Sequence, residues 1–241
     1  TYTMNDGMHL LQETISSWGF TLSDIQIAQF ATYAAELQQW NEKLNLTSVA
    51  DEQAIVTRHF LDSLRCALSW GAAPERLADI GTGAGFPGLP LKILRPMMQL
   101  TLVESIEKKA AFLRHITETL GLDGVTVLTA RAEVIGRDPR HRECYDVVTA
   151  RAVAELRVLV EYCLPLCRVG GRFLAPKGAL IDAEVAAAQS AISILGGQIL
   201  AIEPVTVRDE PERSLVVIAK IAPTPDRYPR AAGMPQKRPL D

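Results

Sequence analysis

The segment Ala78 to Pro90 reads ADIGTGAGFPGLP and concentrates glycine where a strand pattern gives way to a helix pattern. Gly81, Gly83 and Gly85 alternate after Asp79, with Thr82 between the first two, and Gly83, Gly85 and Gly88 also satisfy G-x-G-x-x-G. Glycines so spaced let the backbone turn tightly and approach a ligand, and the following helix offers free N–H groups. No Lys-Ser or Lys-Thr follows, so this is not a triphosphate-binding P-loop. Two ligand classes remain, dinucleotides and S-adenosylmethionine. Glu104 lies 19 residues beyond Gly85, at the end of the next strand, where a carboxylate accepts hydrogen bonds from ribose hydroxyls; both classes need it. Asp79 favours S-adenosylmethionine, because its carboxylate suits a sulfonium and would repel a pyrophosphate. Phe86, inside the loop, either touches the cofactor or packs beneath it.

Cations form the second group. Arg131 and Arg151 fall just beyond the third and fourth strands, and Lys177 just beyond the fifth. In a doubly wound sheet these ends share one rim with the glycine loop, so the cations are expected to converge on the cofactor. Lys108 and Lys109 follow Glu104 at a helix start, an unfavourable end for cations unless a phosphate lies nearby. Cys163 and Cys167, four apart, have no further ligand at metal spacing and are read as core thiols on one helical face; no metal is expected.

These groups need a scaffold. The chain has 241 residues, 48% of them hydrophobic, 22% charged, and a net charge of −3, which excludes disorder and gives no wholesale affinity for nucleic acid. Its longest apolar run, Ala186 to Leu195, is too short to span a bilayer, and the N-terminus lacks a secretory pattern; four cysteines, Cys66, Cys144, Cys163 and Cys167, make no disulfide scaffold, so a reducing cytosol is expected. Apolar residues at Ile27, Phe30, Ala31, Ala34, Leu37 and Trp40 place a helix over Ser23 to Leu44, with Ser23 and Gln26 as a capping box. A second helix is expected from Asp51 to Leu68.

After Pro74 strands alternate with helices: strands at Arg76 to Ile80, Leu100 to Val103, Val125 to Leu128, Asp146 to Thr149, Arg172 to Ala175, Ile199 to Val207 and Leu215 to Ile221. Helices are expected at Gly88 to Leu94, Ile106 to Leu120, Val153 to Leu166 and Ala179 to Leu195. The pattern implies an α/β fold with a doubly wound, mostly parallel seven-stranded sheet, and the short last connection makes the final strand antiparallel, at one edge. Three parts are expected: a helical extension over 1–72, a Rossmann-like domain over 73–221, and an extended Pro-rich, basic tail over 222–241.

The ordered set of motifs resembles the small-subunit ribosomal RNA guanine-N7 methyltransferases, once called glucose-inhibited division protein B. It comprises Trp40-Asn41 with Asn45-Leu46-Thr47, Arg58-His59 with Asp62-Ser63, and the loop Asp79 to Gly88. It continues through Glu104 with Lys108-Lys109 and Phe112-Leu113-Arg114, Arg131-Ala132-Glu133, Tyr145-Asp146 leading to Arg151-Ala152, Lys177-Gly178, and the tail Tyr228-Pro229-Arg230, Gly233, Pro235, Lys237 and Pro239-Leu240. Ala150, where the family often has Ser, and Pro176 are minor departures.

The resemblance implies a class I S-adenosylmethionine-dependent methyltransferase that modifies N7 of a guanine in the 530 loop (position 527) of 16S ribosomal RNA. Its partner would be the rRNA or small ribosomal subunit; the sequence itself, with no heptad, apolar strip or spanning segment, is expected to give a cytoplasmic monomer with no membrane association. The resemblance also implies that Arg151 contacts cofactor or guanine and that the backbone of Ala132 and Glu133 reads the adenine; from their placement, Asn45, His59, Arg131 and Lys177 are expected to serve the reaction, and Lys108, Lys109, Arg131 and Lys177 to hold RNA. N7 already carries a free lone pair, so no general base is needed and catalysis is mostly positioning. A nicotinamide-dependent oxidoreductase using the same loop and a non-enzymatic RNA-binding module are the alternatives.

Overall fold

The computed structural model describes residues 4–49, 51–151, 153–179, 181–207, 210 and 212–241; Ala152, of the Arg-Ala pair, and Leu180, in the expected fourth helix, lie outside them. Two helices open the chain, α1 (Met4–Ser17) and α2 (Asp24–Leu44). Ser23 and Gln26 close the capping box at the start of α2, and Phe30, Tyr33, Ala34 and Leu37 form its buried stripe. The expected second helix is broken into turns of different pitch: α3 (Glu52–Ile55), a π-helical stretch Val56–Leu61, α4 (Asp62–Leu64) and a 3-10 turn Arg65–Leu68. Wide turns of this kind re-aim side chains within a helix, here those of Arg58 and His59.

The sheet comprises β1 (Arg76–Ile80), β2 (Gln99–Glu104), β3 (Val125–Thr129), β4 (Tyr145–Thr149), β5 (Cys167–Lys177), β6 (Gly197–Val205) and β7 (Arg213–Lys220). Around it lie α5 (Gly88–Leu94), α6 (Glu107–Thr119), α7 (Ala132–Ile135), α8 (Leu156–Cys163) and α9 (Asp182–Ile194), and α10 (Met234–Lys237) lies in the tail. The order is β3-β2-β1-β4-β5-β7-β6, parallel except that β7 runs antiparallel to both neighbours. The antiparallel strand is therefore one place in from the edge, and β6 is the edge. Burial explains the difference. Leu215 to Ile218 of β7 are buried without a break, as an interior strand requires, whereas β6 alternates and carries Pro204.

Side chains of β1 alternate between two cores. Leu77 packs with α1, α2, α5 and α6, and Ala78 and Ile80 pack with α8 and α9. The helical extension thus shares the first core with the sheet. Gln26 donates to the Ile93 carbonyl at 2.6 Å and Gln29 to the Leu120 carbonyl at 2.8 Å, fastening α2 across α5 and α6.

Two expectations need correcting here. The helix before β5 stops at Cys163, so Cys167 is the first residue of β5 and the two thiols do not share a helix; both are fully buried and burial raises their pKa values, that of Cys167 to about 12. The tail is not an open extension. Arg142 donates to the carbonyls of Thr224 and Tyr228 at 2.8 and 2.7 Å, Arg230 pairs with the fully buried Glu161, and α10 adds a short helix.

Candidate functional site

Asp79, one residue before the end of β1, is fully buried and governs the glycine loop. Its Oδ2 accepts hydrogen bonds from the Thr82 hydroxyl at 2.6 Å and the Gly88 N–H at 2.8 Å, and its Oδ1 accepts from the Thr149 hydroxyl at 3.2 Å. The carboxylate therefore ties both ends of the loop to the start of α5 and to β4. None of its surface reaches solvent. Burial raises its pKa to about 6 against the pull of these hydrogen bonds.

The turn needs glycine at particular points. Gly81, Gly83 and Gly85 take φ values of 64, 61 and 100°, where a side chain is strained. A Cβ on Gly85 would lie 2.6 Å from the Tyr33 hydroxyl, which itself donates to the Ala84 carbonyl at 2.6 Å. At Gly83 nothing lies within 4 Å of such an atom, so the backbone faces open space. The Gly83 N–H donates to Glu104 Oε2 at 3.0 Å and the Ile106 N–H to Oε1 at 2.9 Å, which holds the carboxylate at the tip of β2.

Beside this loop a cleft of about 220 Å³ opens over the carboxyl ends of β1, β2 and β3. Gly81, Val103, Ser105, Ala130 and Val153 line it together with Arg131, Ala132, Glu133 and Tyr162. Its walls are apolar with carboxylates nearby, and Arg131 is its one cationic lining residue among the described residues. The residues fit an uncharged adenosine carrying a cationic sulfonium better than a pyrophosphate, which would need several donors.

Arg151, just past β4, is held by the helical extension. Its guanidinium donates from Nη1 to Asp62 Oδ2 at 2.8 Å and to the Arg58 carbonyl at 3.0 Å, and Nη2 lies 3.0 Å from His59 Nδ1. It sits over the Phe86 ring at 5.1 Å, while His59 stacks on the same ring at 4.5 Å and Tyr33 at 5.3 Å. Phe86 is thus a buried platform, 4% exposed, beneath the cation. His59 Nε2 is 2.6 Å from the Thr47 hydroxyl. Burial, and then the charge of Arg151, lower the His59 pKa to about 3. The ring is neutral at physiological pH, so Nδ1 accepts from Arg151 and Nε2–H donates to Thr47.

Other expected site residues lie elsewhere. Lys177 is 9% exposed and engaged, donating to the Ala154 carbonyl at 2.7 Å and pairing with Glu184 at 2.5 Å, so it braces the start of α8. Its neighbour in space, Glu184, comes from α9 and could not be paired with it from the local pattern. Asn45 ends α2 in the left-handed region, φ 48°, and is exposed; Thr47 takes its place in the Arg151 network. Lys108 is exposed and Lys109 half-buried at the start of α6, where the ion pair among the described residues is that of Glu107 with Arg114. Arg131 is exposed at the cleft mouth.

Sequence reasoning named Asp62 only as part of a motif, without a role, and missed Arg213 and Tyr33 as site-building residues. Asp62 Oδ2 also accepts from Arg213 at 3.1 Å, so one carboxylate serves two guanidinium groups. The signal for Asp62 was present in its three-residue spacing from His59, which shares a helix face; Arg213 and Tyr33 carry no local signal. Among the described residues no group of three His, Cys, Asp or Glu side chains could hold a metal, and no helix is long and apolar enough to cross a membrane.

Comparison with known proteins agrees with this geometry. Residues 26–216 match the family model for rRNA small subunit methyltransferase G (GidB). The chain is 66% identical over 233 residues to ribosomal RNA small subunit methyltransferase G of Roseiflexus castenholzii, covering 97% of this chain and all of that one. It is 58% identical to the protein of the same name from Chloroflexus aggregans, covering 96% of this chain and 97% of that one. In fold it is similar to the cofactor-bound protein Rv0187 from MTB, with a TM-score of 0.58, 17% identity, and coverage of 91% of this chain and 98% of that one. It is likewise similar to a variant of MtNAS solved with S-adenosylmethionine, with a TM-score of 0.54, 22% identity, and coverage of 91% and 79%. The nicotinamide-dependent alternative finds no place in this assignment: the chain belongs to the rRNA small subunit methyltransferase G family.

Proposed function

We propose that the protein transfers a methyl group from S-adenosylmethionine to N7 of a guanine in the 530 loop of 16S ribosomal RNA, acting as a monomer on the rRNA or the small subunit. The observation that carries this reading is the guanidinium of Arg151, clamped by Asp62 above Phe86, a residue of the glycine loop, and paired with a histidine that is neutral. Bound S-adenosylmethionine supplies an electrophilic methyl group. Gly81, Gly83 and the cleft wall at Ala132 and Glu133 would hold it, with the Glu104 carboxylate toward the ribose and the Ala132-Glu133 backbone toward the adenine.

The guanine N7 lone pair forms the new bond as the carbon–sulfur bond breaks, and no proton leaves. A base catalyst is therefore unnecessary, and a neutral His59 is what such a site tolerates. Arg151 is positioned to grip O6 or a phosphate, leaving N7 free. Exposed Arg131, with Lys108 and Lys109 on α6, supplies charge for the RNA backbone.

The test is incubation of the protein with methyl-labelled S-adenosylmethionine and either small subunits or their rRNA, followed by mapping of N7-methylguanine. Label at one guanine of the 530 loop is expected. Cofactor binding without label on either substrate sinks the N7 assignment. Because His59 carries no charge and no base is required, kcat is expected to be flat from about pH 7 to 8, above the titration of Asp79. An inflection in that range that disappears in His59→Gln would contradict the neutral assignment.

A further inference from the structure

We propose that the C-terminal segment Thr224 to Asp241, which lies beyond the residues matched by the family model, forms the supporting wall of the cofactor cleft, with Gly233 as the positioning residue that fixes Glu133. The inference rests on the cofactor reading above and deepens it at the adenosine end of the cleft.

Four contacts converge on the short α7, which carries the cleft residues Ala132 and Glu133. The Gly233 N–H donates to Glu133 Oε1 at 2.7 Å. Pro229 lies flush on Gly136, where an added Cβ would come within 2.9 Å of its ring. Arg142 Nη1 bridges the Gly136 carbonyl at 3.1 Å to the Tyr228 carbonyl at 2.7 Å. Tyr228, 6% exposed, packs in the same core as Ala132 and Ile135.

The anchor for these contacts is Arg230. Its guanidinium reaches both oxygens of the fully buried Glu161, at 2.6 and 2.9 Å, and its own N–H donates to Oε1 at 2.8 Å. Glu161 neighbours Tyr162, which lines the cleft from α8. A bidentate pair with a buried carboxylate fixes position as well as charge. The tail is thus held to α8 on one side and holds α7 on the other, and the Glu133 carboxylate, 4% exposed, keeps one orientation because a tail amide occupies it.

Gly233 has φ 82°, and a Cβ added to it would meet no atom within 4 Å, so a side chain there strains the backbone without a clash and moves the N–H away from Glu133. In Gly233→Val of the full chain, the dissociation constant for S-adenosylmethionine, measured by calorimetry, is expected to rise about tenfold, as loss of a hydrogen bond to a charged group implies. KM for the cofactor should rise with kcat and KM for rRNA retained, and hydrogen exchange at 132–136 should quicken. Arg230→Lys, which keeps the charge and loses the fork, should act in the same direction and decides the matter if the first variant does not fold. Wild-type cofactor affinity in the folded variants, or an equal loss for cofactor and rRNA, overturns the proposal. A wild-type protein that binds no S-adenosylmethionine overturns the cofactor reading, and this inference with it.

Discussion

Arg151→Ala should lose methyl transfer by on the order of a hundredfold to a thousandfold while the protein stays folded and keeps its affinity for S-adenosylmethionine. The fold survives because Asp62, the carboxylate that Arg151 leaves, still has Arg213 at 3.1 Å. Affinity survives because Arg151 is not among the residues that line the cleft. Arg151→Lys should fall between the two, since one ammonium cannot span Asp62, the Arg58 carbonyl and His59 together. Label incorporation into rRNA, calorimetry with the cofactor and thermal unfolding of the same preparations separate these effects. Full activity in Arg151→Ala would remove it from the reaction.

The second large effect is expected at Asp79. Truncation to Ala removes the acceptor of the Thr82 hydroxyl and the Gly88 N–H and leaves the Thr149 hydroxyl only the Ala78 carbonyl at 3.5 Å. Each such group costs about 1–3 kcal/mol, and because they share one site the total should be about 3 kcal/mol, accompanied by a loss of cofactor affinity of at least about tenfold as the loop loosens. Asp79→Asn keeps an acceptor and should fold well, which makes it the reference for a pH experiment. The folded carboxyl, raised to about 6, binds its proton more tightly than the unfolded one near 3.8. The stability this contributes is present below about pH 4 and is lost as pH rises to about 6. Relative to Asp79→Asn, the wild type should therefore lose up to about 3 kcal/mol across that interval in denaturant titrations. A constant difference between the two proteins would show that Asp79 is not perturbed.

Much of the site is readable in the sequence. Asp79, the glycines and Glu104 occupy one strand, one turn and the tip of the next strand, so spacing alone places them together, and the structure joins Gly83 to Glu104 as that spacing requires. The strand Arg76–Ile80 and the helix Gly88–Leu94 are legible to the residue because a buried apolar run and a glycine turn bound them. The alternating and continuous apolar patterns of β6 and β7 also hold their true order, interior against edge, although the shortness of their connection says only that they are neighbours. The pitch changes between Val56 and Leu68 leave no periodic trace, since every turn there buries apolar residues.

Charge partners follow a different logic. Lys177 and Arg151 look alike in sequence, each a cation after a strand, yet Glu184 takes the first and Asp62 with His59 orients the second. Local pattern by itself determined the glycine turn, the strand and helix alternation and the residue types gathered at one rim, because these depend on backbone preferences and on periodicity within a few residues. Tertiary structure alone decided which carboxylate each cation meets, that the helical extension reaches over the loop through Tyr33 and His59, and that the tail braces the cleft at Glu133. Such contacts join groups far apart in the chain, and only the packing of both cores against the sheet brings them within hydrogen-bond reach.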